Sequence, residues 1–469
     1  MEQHHKKGEW NSSFGFLMAA VGSAVGLGNL WGFPYKMGSN GGFAFLLIYL
    51  VLVATVGIVI CLTELSLGRK TGKGVVAAYE SISKKYSFVG WFAWISPMLI
   101  LGFYCMLGGY CLKYALANLG DIFGAAWGVA GADSGEYFGA FYTDQLQTSV
   151  YTLIFVALTV LIVMGGVSKG IERFSSIAMP ALFVMLLIVI IRSVTLDGAS
   201  EGLAFVFKPN FEVFRGTGWI SVLAAAGGQM FFSLSLGMGI TVTYGSYMKK
   251  TESLEKNAFL IPIADTIVAV MAAVAIMPAV FAAGQTPNQG PSLLFVVLQT
   301  VFQAMGKIGP FFGFLMYLLV FIAAITSSIA LLEATSAVIM DKQIQKGNTH
   351  NRKMVCLGIG AFVAAEGVFV SLDGLGGNGF PQIFGQGCWL DTFDLISEGI
   401  LMPLGALITA LIFGWLTDGK GFTDEEIALD GGGFRIKKYY RFCIRWIVPP
   451  ILILVLLGQI STFFKLGWF

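Results

Sequence analysis

The chain has 469 residues, of which 56% are hydrophobic and 12% charged, half the charged share of a soluble domain; this excludes a soluble globular protein and leaves a polytopic membrane protein. The net charge is only +2, and the basic loops, which follow the positive-inside distribution, need no nucleic-acid explanation. The three histidines (4, 5 and 350) lie in polar stretches and the six cysteines (61, 105, 111, 356, 388 and 443) are scattered, which supports neither a zinc site nor a disulfide framework.

The chain opens with a polar tail, 1–13, lacking the short apolar stretch and small-residue cleavage site of a signal peptide. Eleven apolar segments follow, each long enough for the ~20 residues that cross a bilayer. They run over 14–38, 42–68, 88–118, 148–166, 171–194, 218–248, 257–283, 308–341, 354–372, 390–417 and 444–465. With the N-terminus inside, 22 of the 29 Lys and Arg fall in cytoplasmic segments, which sets the orientation by the positive-inside rule and places the C-terminus outside. Loop 284–307 begins GQTPNQGPS, whose prolines and glycines disfavour a further span while leaving room for short helical pieces that act as a lid. The predicted organisation is an all-α membrane protein: tail 1–13, core 14–417 built of five segments over 14–194 and five over 218–417, then an inner loop and an eleventh helix over 418–469.

Two segments are built to break. The first carries AAVGSAVGLGNLWGFP over 19–34, with glycines at 22, 26, 28 and 32, each about 1 kcal/mol poorer than Ala in a helix interior. The sixth carries SLSLGMG over 233–239. Each opens a set of five segments, and paired interruptions at corresponding positions point to an inverted-repeat transporter with its site at the breaks. Gly22 and Gly26 alone also fit close helix packing; the matching break shifts the weight to a binding site.

The stretches GSAVGLGNLWGFPY (22–35), SNGGFAF (39–45), SKGIERF (168–174), GGQMFFSLSLGMG (227–239), TYGSY (243–247) and ITSSIA (325–330) resemble the bacterial neurotransmitter:sodium symporters, in order and over nearly the whole chain. The resemblance implies the leucine-transporter fold, a 5+5 inverted repeat with discontinuous helices 1 and 6 plus one extra helix. It also implies sodium-coupled amino-acid uptake through the cell (inner) membrane by alternating access. A helix N-terminus freed by the first break suits a carboxylate; the family pattern assigns that group to the backbone of Leu27 and Gly28 and to the Tyr104 hydroxyl, with Gly26 leaving room for its approach. Monoamine carriers place Asp where this chain has Gly26, so the substrate is expected to bring its own carboxylate. Its amine falls to Ala24, Phe232 and Ser235, and its side chain to Ser23, Ile100, Tyr104, Phe232, Met238, Ser328 and Leu331. A leucine-selective relative has Phe at position 238, and the more adaptable methionine points to a broad hydrophobic and aromatic range.

Two sodium ions are implied. One would meet Ala24, Asn29, Ser233, Asp265 and the substrate carboxylate; the other Gly22, Val25, Ala323, Thr326 and Ser327. Positions 323, 326 and 327 share a helix face. An acid inside a span is a functional candidate, and Asp265 stands where the leucine transporter has Asn. It is expected to replace the chloride that chloride-dependent relatives bind nearby, and to take a proton on the empty return step. Glu64 is expected to support the second break, while Glu333, Glu366 and Glu398 lie within spans without an assigned role.

The implied inner latch is Lys7, Trp10, Ser246, Tyr247 and Asp341, with Lys7 and Asp341 as its ion pair. At the outer gate most relatives have Arg where this chain has Gly32, so Asp394 has lost its family partner. Either Lys36 substitutes, or closure rests on Tyr104 and Phe232 with loop 284–307. No span contains a His for nucleophilic chemistry, so no enzyme is expected. A carrier of another small zwitterion and a non-transporting amino-acid sensor are the alternatives; no oligomeric state follows.

Overall fold

The structure, a computed structural model, describes residues 9–287, 290, 292–348, 351–416, 420–430 and 433–468. These residues form helices and no strand. In chain order the main helices are α1 (Ser13–Ala24), α2 (Gly28–Ser39), α3 (Phe43–Thr71), α4 (Val75–Ile82), α5 (Lys84–Ile122), α6 (Ser134–Thr143), α7 (Gln145–Met164), α8 (Val167–Val194) and α9 (Ala199–Phe207). The second half holds α10 (Gly218–Ser233), α11 (Ile240–Gly245), α12 (Leu254–Ala282), α13 (Leu293–Ala304), α14 (Gly306–Gln345), α15 (Arg352–Asp373), α16 (Trp389–Leu416) and α17 (Lys437–Phe463).

Nine of these helices are long and apolar enough to cross a membrane on their own, and α1 with α2 makes a tenth across a 46° bend. The segment expected over 218–248 is divided: α10 has 16 residues and α11 has 6, each short of a bilayer crossing at 1.5 Å per residue. Loop 284–307 contains α13, which starts two residues beyond Pro291. Helices that are apolar on every side need partners or lipid all round, and the packing follows. The equivalent helices of the two halves, α5 and α14, lie against each other; α7 packs on α15, and α3 on α10, α11 and α12. The short, glycine-rich α1 sits inside this scaffold against α8, α12 and α14.

Polar caps set the helix starts. Ser12 accepts the Gly15 N–H at 2.9 Å, and Glu172 at the head of α8 accepts the N–H groups of Asn11 and Ser12 at 2.8 and 3.1 Å. A buried carboxylate on α8 therefore pins the beginning of α1.

Candidate functional site

The two breaks meet in the middle of the bundle. Val25 closes α1 in an extended conformation (φ −75°, ψ 104°), which frees the amides that follow. The Gly26 N–H donates to Asn29 Oδ1 at 3.0 Å and the Leu27 N–H to the Tyr104 hydroxyl at 3.0 Å. A Cβ at Gly26 would stand 2.3 Å from both Tyr104 Oη and Ser327 Oγ, so only glycine lets these groups converge. In the second break Gly237 has φ 73°, and a Cβ there would stand 2.6 Å from the Met402 carbonyl. Its N–H donates to Glu64 Oε1 at 2.9 Å, the support expected of that acid.

Between the breaks lies a narrow cavity of about 20 Å³, with walls from Ser23, Ala24, Gly26, Gly28, Ile100, Tyr104, Phe232, Ser235, Met238, Ser327 and Leu331. That volume suits about one water, so an amino-acid side chain needs Phe232, Met238 or Leu331 to rotate away. One expected substrate contact stands differently. Ser328 is turned from the cavity, its hydroxyl paired with Thr159 Oγ at 2.8 Å and donating to the Ile325 carbonyl at 2.9 Å. One residue along a helix rotates a side chain by 100°, and Ser327 faces the cavity in its place. Leu27 offers its backbone amide, and Ser233 belongs to the polar cluster behind the wall.

That cluster centres on Asp265. Its carboxylate accepts from Asn29 Nδ2 at 2.7 Å, from Ser233 Oγ at 2.9 and 3.0 Å, and from the Tyr49 hydroxyl at 3.3 Å. Asn29, Ser233 and Asp265 are all buried. A second cluster joins α1 to α14: Ser327 Oγ lies 3.4 Å from the carbonyls of both Gly22 and Val25, and Thr326 Oγ donates to Ala323 O at 2.9 Å. The second set is all oxygen, and the first is oxygen apart from the Asn29 amide nitrogen that meets Asp265; oxygen is the chemistry of a hard cation. No cluster of three His, Cys, Asp or Glu suited to a metal occurs among the described residues.

At one end of the site a vestibule of about 560 Å³ opens, lined among others by Trp31, Gly32, Lys36, Asp391, Asp394 and Glu398. Lys36 forms its ion pair with Glu398, so neither expected alternative describes it fully: the lysine does act, but on an acid one turn beyond Asp394. Gly32 faces Gln229, whose carboxamide donates to the Gly28 carbonyl at 2.7 Å. The Tyr104 and Phe232 rings, 6.3 Å apart, stand between vestibule and cavity.

The opposite end is closed by side chains. Buried Trp10 donates to the Tyr244 carbonyl at 3.2 Å and packs edge-on against Phe16, Tyr244 and Tyr247. Tyr247 donates to Glu333 at 2.7 Å, and Arg352 holds Glu333 in a salt bridge while donating to the Val163 carbonyl at 3.0 Å. Asp341 accepts from the Gly74 N–H, and Ser246 bonds the Thr243 carbonyl at 2.6 Å. Lys7, the expected partner of Asp341, lies outside the described residues. Glu333, Arg352, Glu398, Gln229 and Glu172 are site residues without a sequence assignment. For Glu333 and Glu398 the available signal was an acid inside a span.

A sequence profile described as the Sodium:neurotransmitter symporter family matches residues 7–129 and 142–468. The uncharacterized sodium-dependent transporter YhdH of Bacillus subtilis is 35% identical over 456 residues, 97% of this chain and 98% of its own length. An uncharacterized sodium-dependent transporter of Haemophilus influenzae is 30% identical, over 96% of this chain and 98% of its own. The crystal structure of MhsT in complex with L-phenylalanine superimposes with a TM-score of 0.87 at 36% identity, covering 97% of this chain and all of that one. Two broken helices around paired oxygen clusters, and full-length likeness to these proteins, have one meaning: the chain is a multi-pass membrane transporter, not an enzyme, and belongs to the sodium:neurotransmitter symporter family.

Proposed function

We propose that this sodium-dependent transporter carries hydrophobic and aromatic L-amino acids into the cell together with two sodium ions, without chloride. The observation that supports this most is the close approach of the Tyr104 and Ser327 hydroxyls to Gly26, beside the Leu27 amide. This leaves no room for a protein carboxylate at position 26, so the substrate has to bring its own. The carboxylate takes the Leu27 N–H and the Tyr104 hydroxyl, and completes the oxygen set around Asn29, Ser233 and Asp265. Amino acid and sodium then finish each other's sites, which is a coupling free energy between them. The side chain enters the apolar space of Ile100, Phe232, Met238 and Leu331, where the flexible methionine accommodates different shapes. L-phenylalanine, bound in the similar MhsT, has the chemistry this space fits. The second cluster, with neutral oxygens only, takes the second sodium between α1 and α14.

Asp265 supplies from the protein a negative charge beside the first sodium, and it can take a proton when the site returns empty. The chain sits in the cell membrane with the N-terminus inside and the C-terminus outside, so the vestibule is outward and Trp10 closes the inner end. Alternating access then moves the bundle of segments 1, 2, 6 and 7 against segments 3, 4, 8 and 9, opening one end as the other closes. The test is competition for labelled L-phenylalanine in sodium: leucine, tryptophan and tyrosine should displace it, glycine and alanine hardly. A site that takes only glycine or alanine defeats the substrate assignment, and loss of uptake when gluconate replaces chloride defeats the role of Asp265.

A further inference from the structure

The end of α7 and the first turns of α8 enclose a surface groove of about 350 Å³ on the Trp10 side of the protein. Leu161, Ile162, Phe174 and Ile177 give it apolar walls, and Lys169 and Arg173 line it as well. The two cations are four residues apart on one helix, so they share a face. Neither forms an ion pair with a carboxylate among the described residues. Glu172, the acid between them in sequence, is buried and turned to the amides of Asn11 and Ser12, so it does not neutralise them. Leu161 and Ile177 are 64% and 69% exposed, an apolar surface that suits acyl chains and not water. Two uncompensated cations beside an apolar wall, at the ends of two spans, match the chemistry of an anionic headgroup with its tail.

We propose that this groove binds one anionic phospholipid, its phosphate between Lys169 and Arg173 and an acyl chain along Leu161 and Ile177. The chain's own first eight residues fit it poorly, since they carry Lys6 and Lys7 and would meet like charge. The bound lipid ties α7 to α8 on the same helical turn whose other face, through Glu172, holds the start of α1.

The test is native mass spectrometry of the delipidated full chain offered equal parts of phosphatidylglycerol and phosphatidylcholine. One phosphatidylglycerol should bind in preference. Lys169→Gln with Arg173→Gln should weaken it about 30-fold, and Lys169→Gln alone about fivefold, at ~1 kcal/mol for each cation. Exposed Lys84 and Lys85, changed to Gln together, should leave it unaltered. Thermal melting confirms that each variant is folded. Equal binding of the two lipids, an unchanged preference in the double variant, or an equal loss in the Lys84 and Lys85 control overturns the proposal. So does full competition by glycerol 3-phosphate at equal concentration, which would mark a site for soluble anions.

Discussion

The smallest perturbation of the substrate site is Gly26→Ala, a single methyl group. The new Cβ would lie 2.3 Å from Tyr104 Oη and Ser327 Oγ and 3.1 Å from Ser327 Cβ. Tyr104 is 3% exposed and Ser327 6%, so neither side chain can retreat into solvent. The Tyr104 hydroxyl has to move off the Leu27 N–H, which lies 3.0 Å away, and the methyl fills the space a carboxylate needs. Overpacking of a tight site costs about 1–3 kcal/mol, and a lost hydrogen bond to a charged group about 1.5–3 kcal/mol. One of these effects alone weakens phenylalanine binding about 30-fold, and both together approach 10³-fold. Scintillation-proximity binding of labelled L-phenylalanine in saturating sodium measures this, with thermal melting in sodium alone to show that the fold survives. The ability of sodium to promote binding should fall in parallel, because the two ligands share the first oxygen cluster. A folded variant whose affinity stays within about threefold of the parent, ~0.6 kcal/mol, refutes the placement of the carboxylate.

Other substitutions separate the remaining roles. Arg352→Met leaves Glu333 buried without its cation and should cost about 3–5 kcal/mol of stability; adding Glu333→Gln should restore part of the melting temperature, and no restoration would show that the pair is not coupled. Asp265→Asn should make uptake chloride-stimulated, read by exchanging chloride for gluconate; a variant equally active in both anions contradicts the charge-replacement role. Lys36→Met removes the partner of Glu398 at the vestibule and should slow uptake about tenfold, ~1.4 kcal/mol, while equilibrium binding in sodium stays within about twofold. An equal loss of binding would place Lys36 in the substrate site instead.

The apolar runs were legible because a bilayer crossing leaves a composition signal twenty residues long. Over 14–38 and 218–248 the same signal runs across a break, between Ala24 and Gly28 and between Ser233 and Ile240. The breaks themselves could be read from glycine-bearing interruptions paired at corresponding positions of the two halves. Helix rotation leaves no such signal. Ser327 and Ser328 differ by one residue and face different neighbours, the cavity and Thr159. Lys36 reaches Glu398 rather than Asp394 because one turn of α16 separates two acids that sequence alone presents as equals. The Glu333–Arg352–Tyr247 cluster joins three helices and the end of a fourth, and no local pattern announces such a meeting.

Sodium-driven uptake of L-phenylalanine into proteoliposomes tests the central claim most directly. With −100 mV inside and a tenfold sodium gradient, each sodium contributes about 2.3 kcal/mol from the potential and 1.4 from the gradient. Two sodium ions, roughly 7 kcal/mol, allow accumulation of about 10⁵-fold in the tight-coupling limit, whereas one stops at ~10²- to 10³-fold. The account predicts accumulation beyond the one-sodium ceiling that collapses when a sodium ionophore is added. Sodium-dependent binding without any accumulation would contradict it and identify a sensor.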